Sequence, residues 1–302
     1  MNDSQTSLSL TKPKLSVVIG SQNARDSIGE CLNALAKQRN GPEVEIIVVD
    51  NSTDGTAEII SQQFSWIELV RSAEHKYMPE LWEIGISQSG GDVVALTTSH
   101  FVPAKNWIAK ILKAHQSNYA GIGGAIENDK QAGLISWAVY FCRYSPYMLP
   151  FREVTVDDFA GDNGSYKRAA LDRFQDARRK GFWELFIHNE MRKAGLELLL
   201  TPEIVVYHQK SFSLPSFMTQ RFWHGRQFGS ERASSVSLLK RSIYILASPL
   251  IPAVFLLRIT RCVLDRRKHI KEYLLSLPIL LLFLLSWAAG EFTGYVWKAA
   301  KG

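Results

Sequence analysis

Cysteine is scarce in this chain, an apolar stretch is missing near its start, and acidic residues thin out near its end. Each shortage excludes something. The 302 residues hold three cysteines, Cys31, Cys142 and Cys262, odd in number and far apart. That is neither a disulfide framework nor a zinc spacing, and it points to a reducing compartment. Met1 to Lys14 is polar and lacks the apolar core of a secretory signal, so none is expected. The sequons at Asn51-Ser52-Thr53 and Asn163-Gly164-Ser165 are therefore not expected to carry glycans. Residues 201–302 carry 14 Lys+Arg against 5 Asp+Glu, while residues 1–200 carry 21 against 24. A basic tail on a slightly acidic body argues against a nucleic-acid groove. The apolar runs inside that tail point to an anionic membrane surface instead.

What is present alternates. Leu15-Ser16-Val17-Val18-Ile19 is a short apolar run ending in the turn Gly20-Ser21-Gln22-Asn23, and Ile28, Cys31, Leu32 and Leu35 then recur at helical spacing. Glu45 to Val49 reads as a second strand ending on Asp50-Asn51-Ser52-Thr53-Asp54-Gly55-Thr56. Strand, helix, strand at this spacing makes a parallel unit with a right-handed crossover, which brings both polar turns to one edge of the sheet. A third strand near Ile67 to Val70 and a helix from about Pro79 to Gln88 lead to Val93-Val94-Ala95-Leu96, a continuous apolar run expected at the centre of the sheet. Its carboxyl end presents Thr98-Ser99-His100 where ligands of open α/β sheets bind. Pro103 is expected to open the helix that carries Trp107. Gly121-Ile122-Gly123-Gly124 lacks the third glycine of a dinucleotide fingerprint and reads as a strand needing close backbone approach. For Asp50 two readings stand: a carboxylate facing a nucleoside, or the anchor of an Asx-turn.

Ser16-Val17-Val18-Ile19, Ile47 to Thr56 and Gly90-Gly91-Asp92-Val93-Val94-Ala95-Leu96-Thr97 together resemble glycosyltransferase family 2. The likeness continues through Val102-Pro103 with Trp107, Gly161-Asp162-Asn163 with Tyr166-Lys167-Arg168, and Pro202 with His208, covering roughly residues 14–230. It implies the GT-A fold, an α/β domain with a Rossmann-like, mostly parallel sheet and flanking helices. It also implies that Gly20, Ser21, Asn23, Asp50 and Ser99 line the nucleotide of a nucleoside-diphosphate sugar. In the family an acid at the start of a later helix serves as general base, which maps to Glu184, with Asp162 the alternative. His100, Asn163, Arg221 and Arg226 fall where diphosphate or acceptor is held.

The chain departs from that pattern where the family carries an Asp-x-Asp pair, because Thr98, Ser99 and His100 stand there. Magnesium or manganese wants charged oxygen ligands, and hydroxyls cannot supply them. His100 joined by His208 is the remaining metal set, and metal-independent chemistry, with cations offsetting the leaving charge, is the expectation beside it. The aromatic segment from Ala132 to Phe151 reads either as core or as a surface for a lipid-linked acceptor.

In the tail, Ser242 to Leu257 is uncharged but too short and, with Pro249 and Pro252, too kinked to span, while Tyr273 to Gly290, uncharged and expected to break early at Pro278, reads as a spanning helix of marginal length. Arg258, Arg261, Arg266, Arg267, Lys268 and Lys271 lie between them. The positive-inside rule disfavours two spans around such a loop, so the first segment is expected to be re-entrant or interfacial. The chain thus divides into a disordered start (1–13), a GT-A domain (14–232) and a membrane-associated helical tail (233–302). The expected function is inverting transfer of a sugar to a lipid-linked or membrane glycan acceptor at the cytoplasmic face of a membrane. The alternative is a silent nucleotide-sugar-binding or scaffold protein that lost its metal site.

Overall fold

The computed structural model describes residues 12–39, 43–209, 212–234 and 236–297. The segment expected to be disordered lies outside them, save Lys12 and Pro13. In chain order the elements are β1 (Leu15–Ser21), α1 (Ile28–Ala36), β2 (Val44–Asp50), α2 (Thr56–Gln63), β3 (Glu68–Arg71), α3 (Met78–Gln88), β4 (Val93–Thr98), β5 (Phe101–Pro103), α4 (Trp107–Ala114), β6 (Gly121–Asn128) and α5 (Leu134–Tyr144). Then come β7 (Val154–Val156), β8 (Gly164–Lys167), α6 (Arg168–Arg173), α7 (Gln175–Arg178), α8 (Glu184–Lys193), β9 (Leu198–His208), α9 (Leu214–Ser234), α10 (Leu238–Ala247), α11 (Ile251–Arg266) and α12 (Ile270–Val296). They form two compact units, residues 1–125 with 152–207, and residues 126–151 with 208–302.

The first unit is built on the sheet β3-β2-β1-β4-β8-β6-β9-β5, with β7 paired to β9. Strands β1 to β4 run parallel, and β8 is inserted antiparallel between β4 and β6. Val17, Val18, Ile47, Val48, Val94 and Leu96 are wholly buried because helices cover both faces, which is why these strands read as unbroken apolar runs. Each such side chain contributes about 1.5–3 kcal/mol by leaving water. Register aligns Ser21 with Asp50, Gly20 with Thr98 and Asp50 with Arg71, so the polar turns gather at one edge as expected. Gly124 justifies its glycine, since a Cβ there would lie 2.2 Å from the Ile204 carbonyl oxygen. Pro103 does not open a helix. It closes the buried strand β5, and α4 begins at Trp107 after Asn106, which takes a left-handed turn (φ 63).

The second unit is helical. The aromatic segment resolves to core: in α5, Trp137, Tyr140, Phe141 and Tyr144 are buried, and Trp137 and Tyr140 pack on His269 while Phe141 packs on Tyr273. Helices α9 and α12 approach through glycine faces. A Cβ on Gly290 would sit 2.0 Å from the Phe222 carbonyl, and one on Gly229 would sit 2.4 Å from that of Glu291. Pro278 does not break α12, which runs 27 residues through it. Losing one main-chain hydrogen bond is offset by burying Tyr273, Leu280, Phe283 and Leu284 along one side. The apolar run Ser242 to Leu257 is divided between α10 and α11 by a tight turn, Ser248–Leu250, that holds Pro249. Leu238–Arg266 and Ile270–Val296 are each long and apolar enough to cross a membrane, with mean hydropathy 1.8 and 2.0.

Candidate active site

The turns after β1 and β2 zip together. Asn23, left-handed at φ 47, donates its amide to Ser52 Oγ (2.7 Å) and accepts from the Thr53 amide (3.1 Å). The Ala24 and Arg25 amides reach Thr56 Oγ1 (3.0 Å) and Asp54 Oδ2 (3.1 Å). Burial alone would raise the Asp54 carboxyl. The Thr56 hydroxyl and the Arg25 and Thr56 amides outweigh it and hold the group below the usual range. Asp50 is wholly buried, accepts from Ser52 Oγ (2.5 Å) and the Ser52 amide (3.3 Å), and lies 3.3 Å from Arg71 Nη1. The Asx-turn is therefore real; Oδ2 meets both the Ser52 amide and Arg71, while Oδ1 keeps a second lone pair for a ligand. Beside it the buried Ser21 Oγ and Asn51 Oδ1 have no partner among the described residues. Gly20 leaves room filled by Met78, whose sulfur would stand 2.1 Å from a Cβ. Sequence reasoning missed Arg71. The available signal was register, since the third strand ends in a cation where the second ends in an acid.

At the end of β4, Thr98 and Ser99 are buried and the Ser99 amide donates to the Gly20 carbonyl (3.1 Å). Thr98 Oγ1 lies 3.1 Å from His100 Nε2. This donor set, one imidazole and two hydroxyls, does not fit a hard divalent cation on its own. Among the described residues no three His, Cys, Asp or Glu side chains are grouped to hold a metal.

Glu184 comes beside the turn that carries Asp162. Trp82 Nε1 donates to the Thr97 carbonyl at β4 (2.8 Å), and its ring covers Gly161, where a Cβ would stand 2.9 Å from it. The same position is 3.6 Å from the Glu184 carboxyl carbon, so Glu184 lies over the residue preceding Asp162. The segment before Gly161 clamps α8. Asp158 accepts from His188 Nδ1 (2.5 Å), whose other ring nitrogen meets Tyr166 OH (2.8 Å), and Asp157 pairs with Arg192 (3.0 Å). Glu184, His188 and Arg192 recur at i, i+4 and i+8 on α8, and the last two fix the helix. Asn163 is not free to meet a ligand. It is buried, accepts from Trp107 Nε1 (2.9 Å) and donates to the Ala125 (2.9 Å) and Ile204 (3.1 Å) carbonyls, which pins the turn to the sheet.

His208, Arg221 and Arg226 belong to the second unit. His208 is buried beside Tyr144 and Phe212. Arg221 lies over the Trp287 ring of α12 (4.2 Å), a contact between helices, and Arg226 lies over Trp223 (5.1 Å) one turn earlier on its own helix, so both guanidinium faces are covered by a ring.

Comparison with known proteins places this geometry. The sequence profile of "Glycosyl transferase family 2" matches residues 16–174, more than half of the chain. Glycosyltransferase AglE of Haloferax volcanii is 34% identical over 106 residues, 33% of this chain and 34% of the relative. The uncharacterized glycosyltransferase YfnE of Bacillus subtilis is 29% identical over 107 residues, 34% of this chain and 27% of that one. The chain thus spans about a third or less of either curated relative. Among solved structures, the mannosyltransferase PcManGT of Pyrobaculum calidifontis, in complex with GDP-Man and Mn2+, shares the fold with a TM-score of 0.56 and 14% identity over 96% of this chain and 88% of its own. The strand order, the paired polar turns and the profile match agree, and the chain belongs to glycosyltransferase family 2.

Proposed function

We propose that the protein transfers a sugar from a nucleoside-diphosphate donor to a hydroxyl of a lipid-linked or membrane glycan acceptor, with inversion. The observation that carries the reading is the juxtaposition of Glu184 with Gly161-Asp162 next to the end of β4. Asp50, Ser21 and the Asn23 turn hold the nucleoside. His100 with Ser99 faces the diphosphate. Glu184 takes the acceptor proton as the new bond to the anomeric carbon forms and the bond from that carbon to phosphate oxygen breaks, releasing nucleoside diphosphate. Asp162 sets the charge beside Glu184. In PcManGT, GDP-Man is accompanied by Mn2+. Because the donors at Thr98 to His100 do not fit that ion, no step is assigned to it.

Attachment to a membrane is part of the reading. Leu238, Leu246 and Leu250 are 78%, 80% and 63% exposed, an apolar surface that water does not favour. The mode is interfacial rather than spanning. Helix α9, with Arg221, Arg226, Glu231 and Arg232, lies along the second half of α12, where Ser286 reaches the Met218 carbonyl and Gly294 meets that of Arg226. A bilayer-crossing α12 would carry those charges into hydrocarbon at about 2.5–3.5 kcal/mol each. Lys268 and His269 on the basic turn pair with Glu127 (2.7 and 3.2 Å), which ties that turn to the end of β6; the cytoplasmic face is proposed from the positive charge of the turn.

The test is to purify the whole chain in detergent and screen nucleoside-diphosphate sugars for binding and turnover, reading the product's anomeric configuration by NMR. Inverted product, with turnover lost in Glu184→Gln, is expected. Donor binding without turnover on any acceptor would favour the silent protein.

A further inference from the structure

Among the described residues the second unit holds a polar cavity of about 140 Å³, walled by Asn128, Asp129, Gln131, Ser136, His208 and Gln209. Asn128 is the last residue of β6 and is 3% exposed. Neither its amide nitrogen nor its amide oxygen has a hydrogen-bond partner among the described residues. Leaving such a group unpaired costs about 1–3 kcal/mol, so the site is built to be completed by something. The first turn of α5, an 11-residue helix, also borders the cavity. It opens at Gly133 with no side-chain cap, and its first main-chain amides have no intrahelical acceptor.

The chemistry of the wall selects the ligand. The Asn128 amide offers a donor and an acceptor side by side, so its partner must supply both from neighbouring atoms. A vicinal diol does this, whereas a phosphate only accepts. Asp129 strengthens the choice, because its carboxylate, which already accepts from the Gln131 amide (2.9 Å), opposes an anion and welcomes a hydroxyl. The volume equals that of roughly four or five waters, the scale of one sugar ring. We infer that this cavity is a subsite for one neutral sugar residue of a glycan, with Asn128 bridging two adjacent ring hydroxyls. The inference rests on the proposal that the chain works on a glycan acceptor.

Saturation-transfer NMR on the full-length protein, in a detergent without a sugar headgroup, tests it with methyl α-mannoside, methyl β-glucoside, methyl β-galactoside and methyl N-acetyl-β-glucosaminide. At least one is expected to bind, at least tenfold more weakly in Asn128→Leu and more weakly in Ser136→Ala, with UDP or GDP binding unchanged in both. Thermal unfolding confirms that each variant folds. Binding of no glycoside, glycoside binding indifferent to both variants, or displacement by inorganic phosphate would overturn it. So would an Asn128→Leu protein that is more stable while wild type binds no glycoside, the mark of a water-filled void. Failure of the functional reading looks different, because UDP and GDP would then not bind wild type whatever the glycosides do.

Discussion

The two units spend their polar groups in opposite ways. In the first, apolar strands are buried and their carboxyl ends offer Ser21, Asp50, Ser99 and His100 at one edge, some with hydrogen-bonding capacity unused. In the second, many polar groups are consumed inside. The buried Glu291 accepts from Trp287 Nε1 (2.8 Å) and Tyr295 OH (2.6 Å), Glu127 is taken by Lys268, His269 and the Leu149 amide, and leucines face outward. On the proposed function, the difference separates a surface made to meet water-soluble ligands from one made to meet lipid, with Asn128 among the exceptions in the second unit.

The comparison breaks most sharply at Glu184. Glu184→Gln is expected to lower kcat by about 10²- to 10⁴-fold with little change in donor affinity, measured by release of nucleoside diphosphate. Gly290→Val, which drives a side chain into the Phe222 backbone, should destabilise the second unit by ~1–3 kcal/mol or more and loosen vesicle binding, with donor binding retained. Thermal unfolding and flotation with anionic vesicles check it, and lost donor binding would mean that the units are not separable in function. Asp50→Asn should weaken donor binding about 10- to 100-fold, the range for a charged hydrogen bond, seen by titration calorimetry. The smallest effect concerns Glu127. Burial alone would raise its carboxyl, but bonds from His269, Lys268 and the Leu149 amide hold it below the usual range. Its contribution is therefore full above the unfolded value and lost as pH falls through the folded one. Protease cleavage at the basic turn should rise in acid, and Glu127→Gln should remove that pH dependence.

Much of this was legible in the chain. Val17 to Ile19, Ile46 to Val49 and Val93 to Leu96 announced the parallel core because helices on both faces demand unbroken apolar runs. The order of elements carried the two polar turns to one edge. Contacts between distant segments were hidden. Nothing local marks Asn163 as a pin between Trp107, Ala125 and Ile204, nor Arg71 as the partner of Asp50, since both depend on strands meeting across the sheet. Pro278 misled for a related reason, because local propensity speaks against a helix that tertiary burial keeps. The aromatic segment of α5 could not be assigned to core or surface until its partners on α12 were placed.

On the proposed function, the first unit performs chemistry with Glu184 although the β4 end lacks its acids. The most direct test of this claim is the rate of nucleoside diphosphate release from a matched donor and acceptor by wild type and Glu184→Gln, with donor affinity measured in parallel. Turnover in wild type, a fall of at least 10²-fold in the variant and unchanged donor affinity are predicted. Equal rates in the two proteins would contradict the account.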